Sequence, residues 1–500
     1  MKRELVQLAV SLVHTLLGSS VTFKVGLMSP LEYHIRSFIA DSGHAGISSA
    51  RVSFRWGLVT SAYSLAEAVV FYPSILCLER YGRRFTIFFL ANFLAMGSMV
   101  LHYASVPLGS FWFLVLGRFL AGAGFISTLY TSTYLVECFG DSRFSSQLAN
   151  LPTVGTLLFM VLGAYVGAPE HLGTPHFWNC TFLLCLPPLA LYSLAGFFLP
   201  ESPKHLYQTK GDEQKAKRAA EFYSAGTVDW PTLKGEYDDE MRASRAHRGR
   251  MRLGTLWKLP QYRWPLLVTL VISGTIAFGE VEVAENYSVE IIVSENKSHG
   301  PDRHQAALAN TFFIQTCGIL TTLLSVLLVD RSGRRPMTLI GVGMGVLASL
   351  LLSIRYLFMS NHHGWLQAAV AIPALSLGKS SMYVQIAVLA LFVAEATPQS
   401  TRSFTTLSSL ALCEIYSALV LFAYPLVEEF YGPLPFHLAM FALCFGSFLW
   451  LWRYIPETMG KSVAQVGAAW PGADDPPQAD DVDGHRVVYK VAIESTSLME

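Results

Sequence analysis

Long apolar runs separated by short polar stretches dominate this chain. Twelve of the runs approach the roughly 20 residues that an α-helix needs to cross a lipid bilayer. The pattern therefore predicts twelve membrane-spanning helices, at 5–28, 56–78, 85–105, 110–136, 147–168, 178–199, 264–290, 305–329, 336–358, 366–394, 404–427 and 434–455. The seventh run fits least well, because it carries several glutamates.

Two stretches break the apolar pattern. Residues 200–263 are charged and helix-prone, which predicts a cytoplasmic helical linker between two six-helix halves, 1–199 and 264–462. The tail, 463–500, is rich in acidic residues and proline and has little to bury. It is therefore predicted to be a disordered cytoplasmic tail.

Composition agrees with a lipid-embedded chain. Hydrophobic residues make up 52% of the sequence and charged residues 14%, against about a quarter charged in an average soluble protein. The 36 basic and 36 acidic residues balance, which gives no indication of a nucleic-acid partner. The seven cysteines show no metal-ligand spacing, and no nucleophile or phosphate-loop motif occurs. We therefore expect no metal, no cofactor and no enzymatic activity.

Basic residues set the expected orientation. The loops Glu79–Arg84 (ERYGRR) and Asp330–Arg335 (DRSGRR), with the linker, are rich in Arg and Lys, so the positive-inside rule predicts that they face the cytoplasm. An even number of helices places both termini on the same side. Asn296 begins the sequence Asn-Lys-Ser in a loop on the opposite side and is a candidate for glycosylation.

An internal repeat gives the strongest evidence for the architecture. The ERYGRR loop recurs as DRSGRR about 250 residues later. In the same order, Glu137–Arg143 is matched by Glu395–Arg402, and Pro200–Lys204 (PESPK) by Pro456–Lys461 (PETMGK). Three paired motifs in one order predict two parallel six-helix halves.

Taken together, these motifs resemble those of the sugar-porter (facilitative glucose transporter) family of the major facilitator superfamily. Gly117–Gly122 (GRFLAG) and Tyr424–Pro433 (YPLVEEFYGP) also resemble that family, and the likeness extends from about residue 5 to residue 462. It implies an all-α membrane protein with the major facilitator fold in the plasma membrane. It also implies a small-molecule substrate, a sugar or another polar solute, moved by alternating access.

The resemblance further implies a cytoplasmic gate of salt bridges that holds the halves together when the carrier is open to the outside. Arginine suits this role because its rigid fork of donors matches a carboxylate. Alternatively, the arginines anchor helix ends to lipid headgroups, as basic loops commonly do. Carried over by motif, Arg83, Arg84 and Arg118 would pair with Glu137 and Glu201, and Arg334 and Arg335 with Glu395 and Glu457, with Arg143 and Arg402 joining.

The expected substrate site departs from the family. The family's Gln-Gln-Leu-Ser-Gly-Ile-Asn run in helix 7 is replaced by Ile276–Glu282, and Thr153 stands where helix 5 carries a glutamine. Ionisable residues occur instead, and at membrane depth such groups face a cavity or a partner. The candidates for the substrate pathway are Glu280, Glu282, Glu285, Glu414, Thr153 and Lys24, with Glu67 and Lys379 nearby in the predicted helices.

Two interpretations of these carboxylates remain open. They bind a cationic or polar substrate or a coupling proton, or they form structural ion pairs with Lys24 and Lys379. A sugar or polyol carrier is the main functional prediction, on resemblance. The alternatives are a proton-coupled or organic-cation carrier that uses the glutamates of helix 7, and a sensor that does not transport.

Overall fold

The computed structural model describes residues 2–42, 47–140, 145–168, 170–246, 257, 259–293, 301–358, 364–461 and 463–472. Within these residues, twelve helices are long and apolar enough to cross a membrane. Helices satisfy every backbone hydrogen bond internally, which is what a lipid environment demands. Apolar side chains such as Phe93 (69% exposed) and Leu327 (68% exposed) cover the outer surface, as expected where lipid is the solvent.

The spanning helices are numbered in chain order. Several contain a short irregular turn, so their bounds are given in pieces. They are helix 1 (Lys2–Leu16, Gly18–Thr22, Phe23–Gly26), helix 2 (Ser49–Tyr81), helix 3 (Phe85–Ala91, Asn92–Ser105), helix 4 (Phe111–Gly124, Ile126–Phe139), helix 5 (Ser145–Val166), helix 6 (Cys180–Cys185, Leu186–Phe198), helix 7 (Pro260–Ile276, Ala277–Val281, Glu282–Asn286), helix 8 (Pro301–Ser332), helix 9 (Arg334–Phe358), helix 10 (Gly364–Ala396), helix 11 (Gln399–Tyr431) and helix 12 (Leu434–Tyr454).

The two ends of the bundle differ in what they carry. One end, here called the motif end, holds the turns at Gly82 and Gly333 and the residues that follow helices 6 and 12. The described part of the linker forms three further helices there, Pro203–Gln208, Glu213–Tyr223 and Trp230–Ala246. The opposite end, here called the far end, carries the helix Met28–Asp41, where the sequence predicted a loop. Helix 2 also begins earlier than expected, at Ser49 instead of residue 56.

Helix 7 is broken near its middle. Gly279 and Glu280 have non-helical backbone angles, and Glu280 adopts φ +66°, a conformation that non-glycine residues rarely take. The backbone of the break packs closely on helices 9 and 10: a Cβ on Gly345 would lie 3.2 Å from Gly279 Cα, and one on Gly378 would lie 2.8 Å from Gly279 O. Small residues on the neighbouring helices therefore make room for the irregular turn.

A short segment after helix 12 folds back onto the motif end of helix 7. Trp470 is buried (3% exposed) and lies parallel to Trp264, with 6.2 Å between the ring centroids. The indole N–H of Trp264 donates to the backbone oxygen of Pro471 at 3.0 Å. This docking fixes residues 463–472 in place, and the remainder of the predicted tail lies outside the described residues.

Candidate substrate site and end clusters

The first half carries an ordered charge cluster at the motif end. The guanidinium of Arg83 (Nε and Nη2) donates to both carboxylate oxygens of Glu137 at 3.0 Å. The hydroxyl of Ser202 donates to the same carboxylate at 2.6 Å. The backbone N–H groups of Arg83 and Arg84 donate to the carboxylate of Glu201 at 3.0–3.1 Å. These contacts tie the ends of helices 2, 4 and 6 together.

The second half repeats this arrangement. Arg334 binds Glu395, with Nη2 2.8 Å from Oε1, and Thr458 donates its hydroxyl to Glu395 at 2.6 Å. The backbone N–H groups of Arg334 and Arg335 donate to the carboxylate of Glu457 at 2.9 and 3.1 Å. The two halves thus use the same chemistry at equivalent positions, and every hydrogen bond described for these arginines stays within one half.

A glycine with positive φ makes room for each buried carboxylate. Gly82 adopts φ +101°, and a Cβ there would lie 2.2 Å from Oε2 of Glu201. Gly333 adopts φ +84°, and its Cβ would lie 2.6 Å from Oε2 of Glu457. The glycine of the Gly-Arg-Arg motif is therefore required for both its conformation and its lack of a side chain.

The two clusters differ in their electrostatics. Burial raises the pKa of Glu201 despite its backbone donors. Burial also acts to raise the pKa of Glu457, but backbone N–H groups, including those of Arg334 and Arg335, outweigh it and lower that pKa. His205, whose Nδ1 lies 2.7 Å from Nη1 of Arg83, has no counterpart in the hydrogen bonds described for the second cluster. Burial, Arg83 and Lys210 lower the pKa of His205 to about 4.

The remaining predicted gate residues are Arg118, Arg402 and Arg143. Arg118 does not reach Glu137 or Glu201, because it lies about five turns, or ~28 Å, from Glu137 along helix 4. That part of the prediction is wrong, and Arg118 lies instead 4.7 Å above the ring of Tyr63 in helix 2. Arg402 contacts the backbone oxygen of Thr397 at 3.4 Å. Arg143, like the glycosylation candidate Asn296, lies outside the described residues.

Seven ionisable side chains lie at the boundary between the two halves, in the part of the bundle that extends from its middle towards the far end. This set is called the central charge cluster. Glu67 interacts directly with Glu414, and Arg118 lies within electrostatic range of Glu67 and Glu282. The cluster consists of Lys24 (helix 1), Glu67 (helix 2), Arg118 (helix 4), Glu282 and Glu285 (helix 7), Lys379 (helix 10) and Glu414 (helix 11).

The two lysines of this cluster have different partners. Lys379 forms an ion pair with Glu285, so the interpretation of the carboxylates as partners in structural ion pairs applies to Glu285. Lys24 is equally buried (1% exposed), but its amine donates to the hydroxyl of Ser98 in helix 3 at 3.1 Å. No carboxylate forms an ion pair with Lys24 among the described residues. The structural interpretation therefore accounts for only one of the two lysines.

Two of the predicted pathway residues lie outside the central charge cluster. Glu280 accepts a hydrogen bond from Nδ1 of His437 in helix 12 at 2.9 Å, and both side chains are fully buried. The His437 ring also stacks on Tyr356, with 5.2 Å between the centroids. Glu280 therefore stabilises the break in helix 7. Thr153 is exposed and has no described side-chain hydrogen bond, although the backbone oxygen of Pro152 beside it accepts from Ser19.

Hydrogen bonds between the halves lie mainly towards the far end. Ser29 joins the far-end helix Met28–Asp41 to Ser288, just after helix 7, with 3.1 Å between the two hydroxyl oxygens. The hydroxyl of Tyr287 lies 3.2 Å from that of Thr60, and Ser49 donates to Glu429 at 2.8 Å. Nearer the motif end, the hydroxyls of Tyr72 and Ser408 are 3.0 Å apart at an exposed position. These contacts close the space above the central charge cluster.

Comparison with known families identifies the architecture. The family model described as "Sugar (and other) transporter" matches residues 8–470, nearly the whole chain. The chain belongs to this family. The match includes both end clusters and the whole of the central charge cluster, so the sugar-porter resemblance is confirmed.

Relatives within the family cover most of this chain at low identity. The human solute carrier family 2, facilitated glucose transporter member 3, is 24% identical over 90% of this chain and 89% of its own length. The human facilitated glucose transporter member 11 is 26% identical over 90% of each chain. Facilitated glucose transporter protein 1 of Caenorhabditis elegans is 25% identical over 84% of this chain and 81% of its own.

Solved structures confirm the major facilitator fold. The inward-open xylose transporter XylE from E. coli superimposes with a TM-score of 0.73, at 16% identity, over 93% of this chain and 100% of its own. The proton:xylose symporter XylE bound to 6-bromo-6-deoxy-D-glucose gives a TM-score of 0.68 at 17% identity, over 94% of this chain and 100% of its own. The protein is therefore a multi-pass solute carrier of the sugar-porter type with a small-molecule substrate, and it is not an enzyme.

Proposed function

We propose that the protein moves a sugar or another small polar solute across the plasma membrane by alternating access, with the motif end and both termini in the cytoplasm. The halves, 1–199 and 264–462, rock about the central charge cluster, and the linker, 200–263, joins them at the cytoplasmic face. One observation carries the proposal. A buried polar cluster lies between two halves that are hydrogen-bonded to each other mainly towards one end.

The far-end contacts supply the outer closure in this proposal. Tyr287, Ser288 and Glu429 come from the second half and meet hydroxyl groups of the first half. Each contact is a hydrogen bond worth roughly 1 kcal/mol net, so several together form a closure that modest energy can open. A gate that opens repeatedly needs contacts of this modest free energy.

The motif-end clusters supply the inner gate. The clusters present arginine at the start of helices 3 and 9 and glutamate at the ends of helices 4 and 10. When the far end opens and the motif end closes, the two clusters come together and their charges complement each other. The alternative, that these arginines only anchor helix ends to lipid, is disfavoured by the bonds of Arg83 to Glu137 and of Arg334 to Glu395.

Uptake by the purified full-length chain in liposomes tests both parts of the proposal. Saturable uptake of a labelled hexose supports sugar transport, and its absence for every sugar and polyol offered would refute it. The double variant Glu137→Gln with Glu395→Gln keeps the shape of both side chains but removes the charges that bind Arg83 and Arg334. It should lose most uptake at unchanged membrane expression, whereas Glu221→Gln on an exposed face of the linker should not. Normal uptake in the double variant would refute the gate.

A further inference from the structure

The central charge cluster contains more acid than base. Four carboxyl groups, of Glu67, Glu282, Glu285 and Glu414, share this region with three cationic groups, of Lys24, Arg118 and Lys379. One further positive charge from a bound solute would make the cluster neutral. Burying charge without compensation costs several kcal/mol, so this imbalance favours a cationic occupant.

Part of the cluster is already paired. Lys379 neutralises Glu285, and Lys24 is held by Ser98 in helix 3. The groups without an ion-pair partner in the described residues are Glu67, Glu282 and Glu414, with Arg118 beside them. These three carboxyl groups come from helices 2, 7 and 11, so they belong to both halves of the protein.

Direct contact between two carboxyl groups is the second sign of a ligand. Glu67 and Glu414 interact across the boundary between the halves, and they repel each other unless a cation or a proton lies between them. Glu67 is 6% exposed, and among the described residues its Oε1 has no hydrogen-bond partner. Glu282 and Glu414 are half-buried.

Arg118 adds unused donors to the same region. The side chain is 2% exposed, and neither Nε nor Nη1 finds an acceptor in the part of the chain that the structure describes. A guanidinium donates readily to hydroxyl oxygens. The region therefore offers donors for a polyol at Arg118 and acceptors for a cation at the three carboxyl groups.

We propose that the central charge cluster selects a hydroxylated solute that carries one protonated amine, an amino sugar or a similar amine-bearing polyol. An ammonium group has three donors, one for each of Glu67, Glu282 and Glu414. The hydroxyl groups of the solute accept from Arg118. The assignment rests on the proposed function, because it specifies the substrate of the same carrier. It also explains why a carboxylate, that of Glu282, stands where the family places the asparagine of its helix 7 run.

Because the three carboxyl groups come from both halves, the amine also links binding to the conformational cycle. An empty cluster keeps like charges together at the boundary between the halves, and a bound ammonium group removes that repulsion. The solute therefore stabilises the closed, occluded arrangement more than the open ones. A carrier needs this property if it is to move only when loaded.

Uptake of three matched hexoses by the full-length chain in liposomes tests this assignment. Glucosamine carries the amine, glucose has nearly the same shape with an uncharged hydroxyl in its place, and N-acetylglucosamine carries an uncharged and bulkier acetamide. We expect the KM for protonated glucosamine to be about tenfold or more below that for the other two, as one charge-assisted contact would give. Glu67→Gln and Glu414→Gln should each raise the KM for glucosamine towards that for glucose, so that the ratio of the two KM values falls to about one. Glu221→Gln is the matched control and should keep the preference.

Each outcome separates the two proposals. Saturable glucose uptake with equal KM values for all three sugars would overturn the amine assignment and leave sugar transport standing. Uptake of none of them would overturn both. Glucose uptake driven by an imposed pH gradient, with the gradient dependence lost in Glu67→Gln, would show that a proton occupies the position assigned to the amine. If Glu67→Gln does not reach the membrane, Glu414→Gln, at a half-buried position, carries the same test.

Discussion

The glycines of the two Gly-Arg-Arg turns provide the sharpest test of the end clusters. Replacing Gly82 by alanine imposes two costs. The backbone conformation at φ +101° and ψ 165° is nearly restricted to glycine, which costs about 1–3 kcal/mol for any other residue. The new Cβ would also lie 2.2 Å from Oε2 of Glu201, so the carboxylate must move away from the backbone N–H groups that bind it.

Gly432 separates these two costs. It adopts a similar conformation, φ +76° and ψ 173°, at the end of helix 11, but a Cβ there meets nothing within 4 Å. Gly432→Ala therefore reports the backbone cost alone. Gly82→Ala should be more destabilising by about 1.5–3 kcal/mol, the value of a hydrogen bond to a charged group. Gly333→Ala, whose Cβ would lie 2.6 Å from Glu457, should show a similar excess.

Equilibrium unfolding in mixed detergent micelles, followed by tryptophan fluorescence, measures these free energies. A double-mutant cycle adds a control, because Gly82→Ala should lose its excess cost in a Glu201→Ala background. Equal losses for Gly82→Ala and Gly432→Ala would refute the reasoning. So would an excess that persists after Glu201 has been removed.

Two further predictions concern buried histidines. The pKa of His205 is lowered to about 4. Between about pH 6.5 and pH 4 the unfolded chain therefore binds more protons than the native protein. The stability that neutral His205 provides is lost as the pH falls through this window. His205→Asn keeps an acceptor for Arg83. It should reduce the difference between the free energies of unfolding at pH 7 and pH 4.5 by roughly 1–2 kcal/mol. An unchanged difference in the variant would contradict the assignment. His437→Phe should destabilise the protein by about 3–5 kcal/mol because it leaves Glu280 buried without its donor. Adding Glu280→Gly should recover part of that loss, since it removes the carboxylate and relieves the positive φ, and no recovery in the double variant would count against this explanation.

The fold could be predicted from the sequence because its two signals are independent of detailed packing. Apolar runs of spanning length set the number of helices, and the repeated motifs set the division into halves. The repeat also contains a signal for two further residues of the end clusters, which was not among the predictions from the sequence. A hydroxyl residue follows the glutamate in both Pro-Glu motifs, and Ser202 and Thr458 use it to bind Glu137 and Glu395.

The candidate site was less predictable because its partners are distant in sequence. Helical spacing places Glu280 and Glu282 on different faces of helix 7, but it gives no indication that His437 contacts Glu280. No pattern indicates that a glutamate will adopt a positive φ. The predicted pairing of Arg118 with Glu137 or Glu201 was wrong because it relied on the likeness of the arginine motifs. It took no account of the position of Arg118 along helix 4, far from the motif end.

The stacking of Trp470 on Trp264 affects the order in which the protein can fold during its synthesis on the ribosome. Helix 7 begins the second half, yet the ring that stacks on its Trp264 comes from Trp470, after helix 12. The described partners of Arg83 in the first end cluster all lie at or before His205, so this cluster can assemble while synthesis continues. The motif end of helix 7 remains uncovered until Trp470 has emerged, so the second half is completed only late in synthesis.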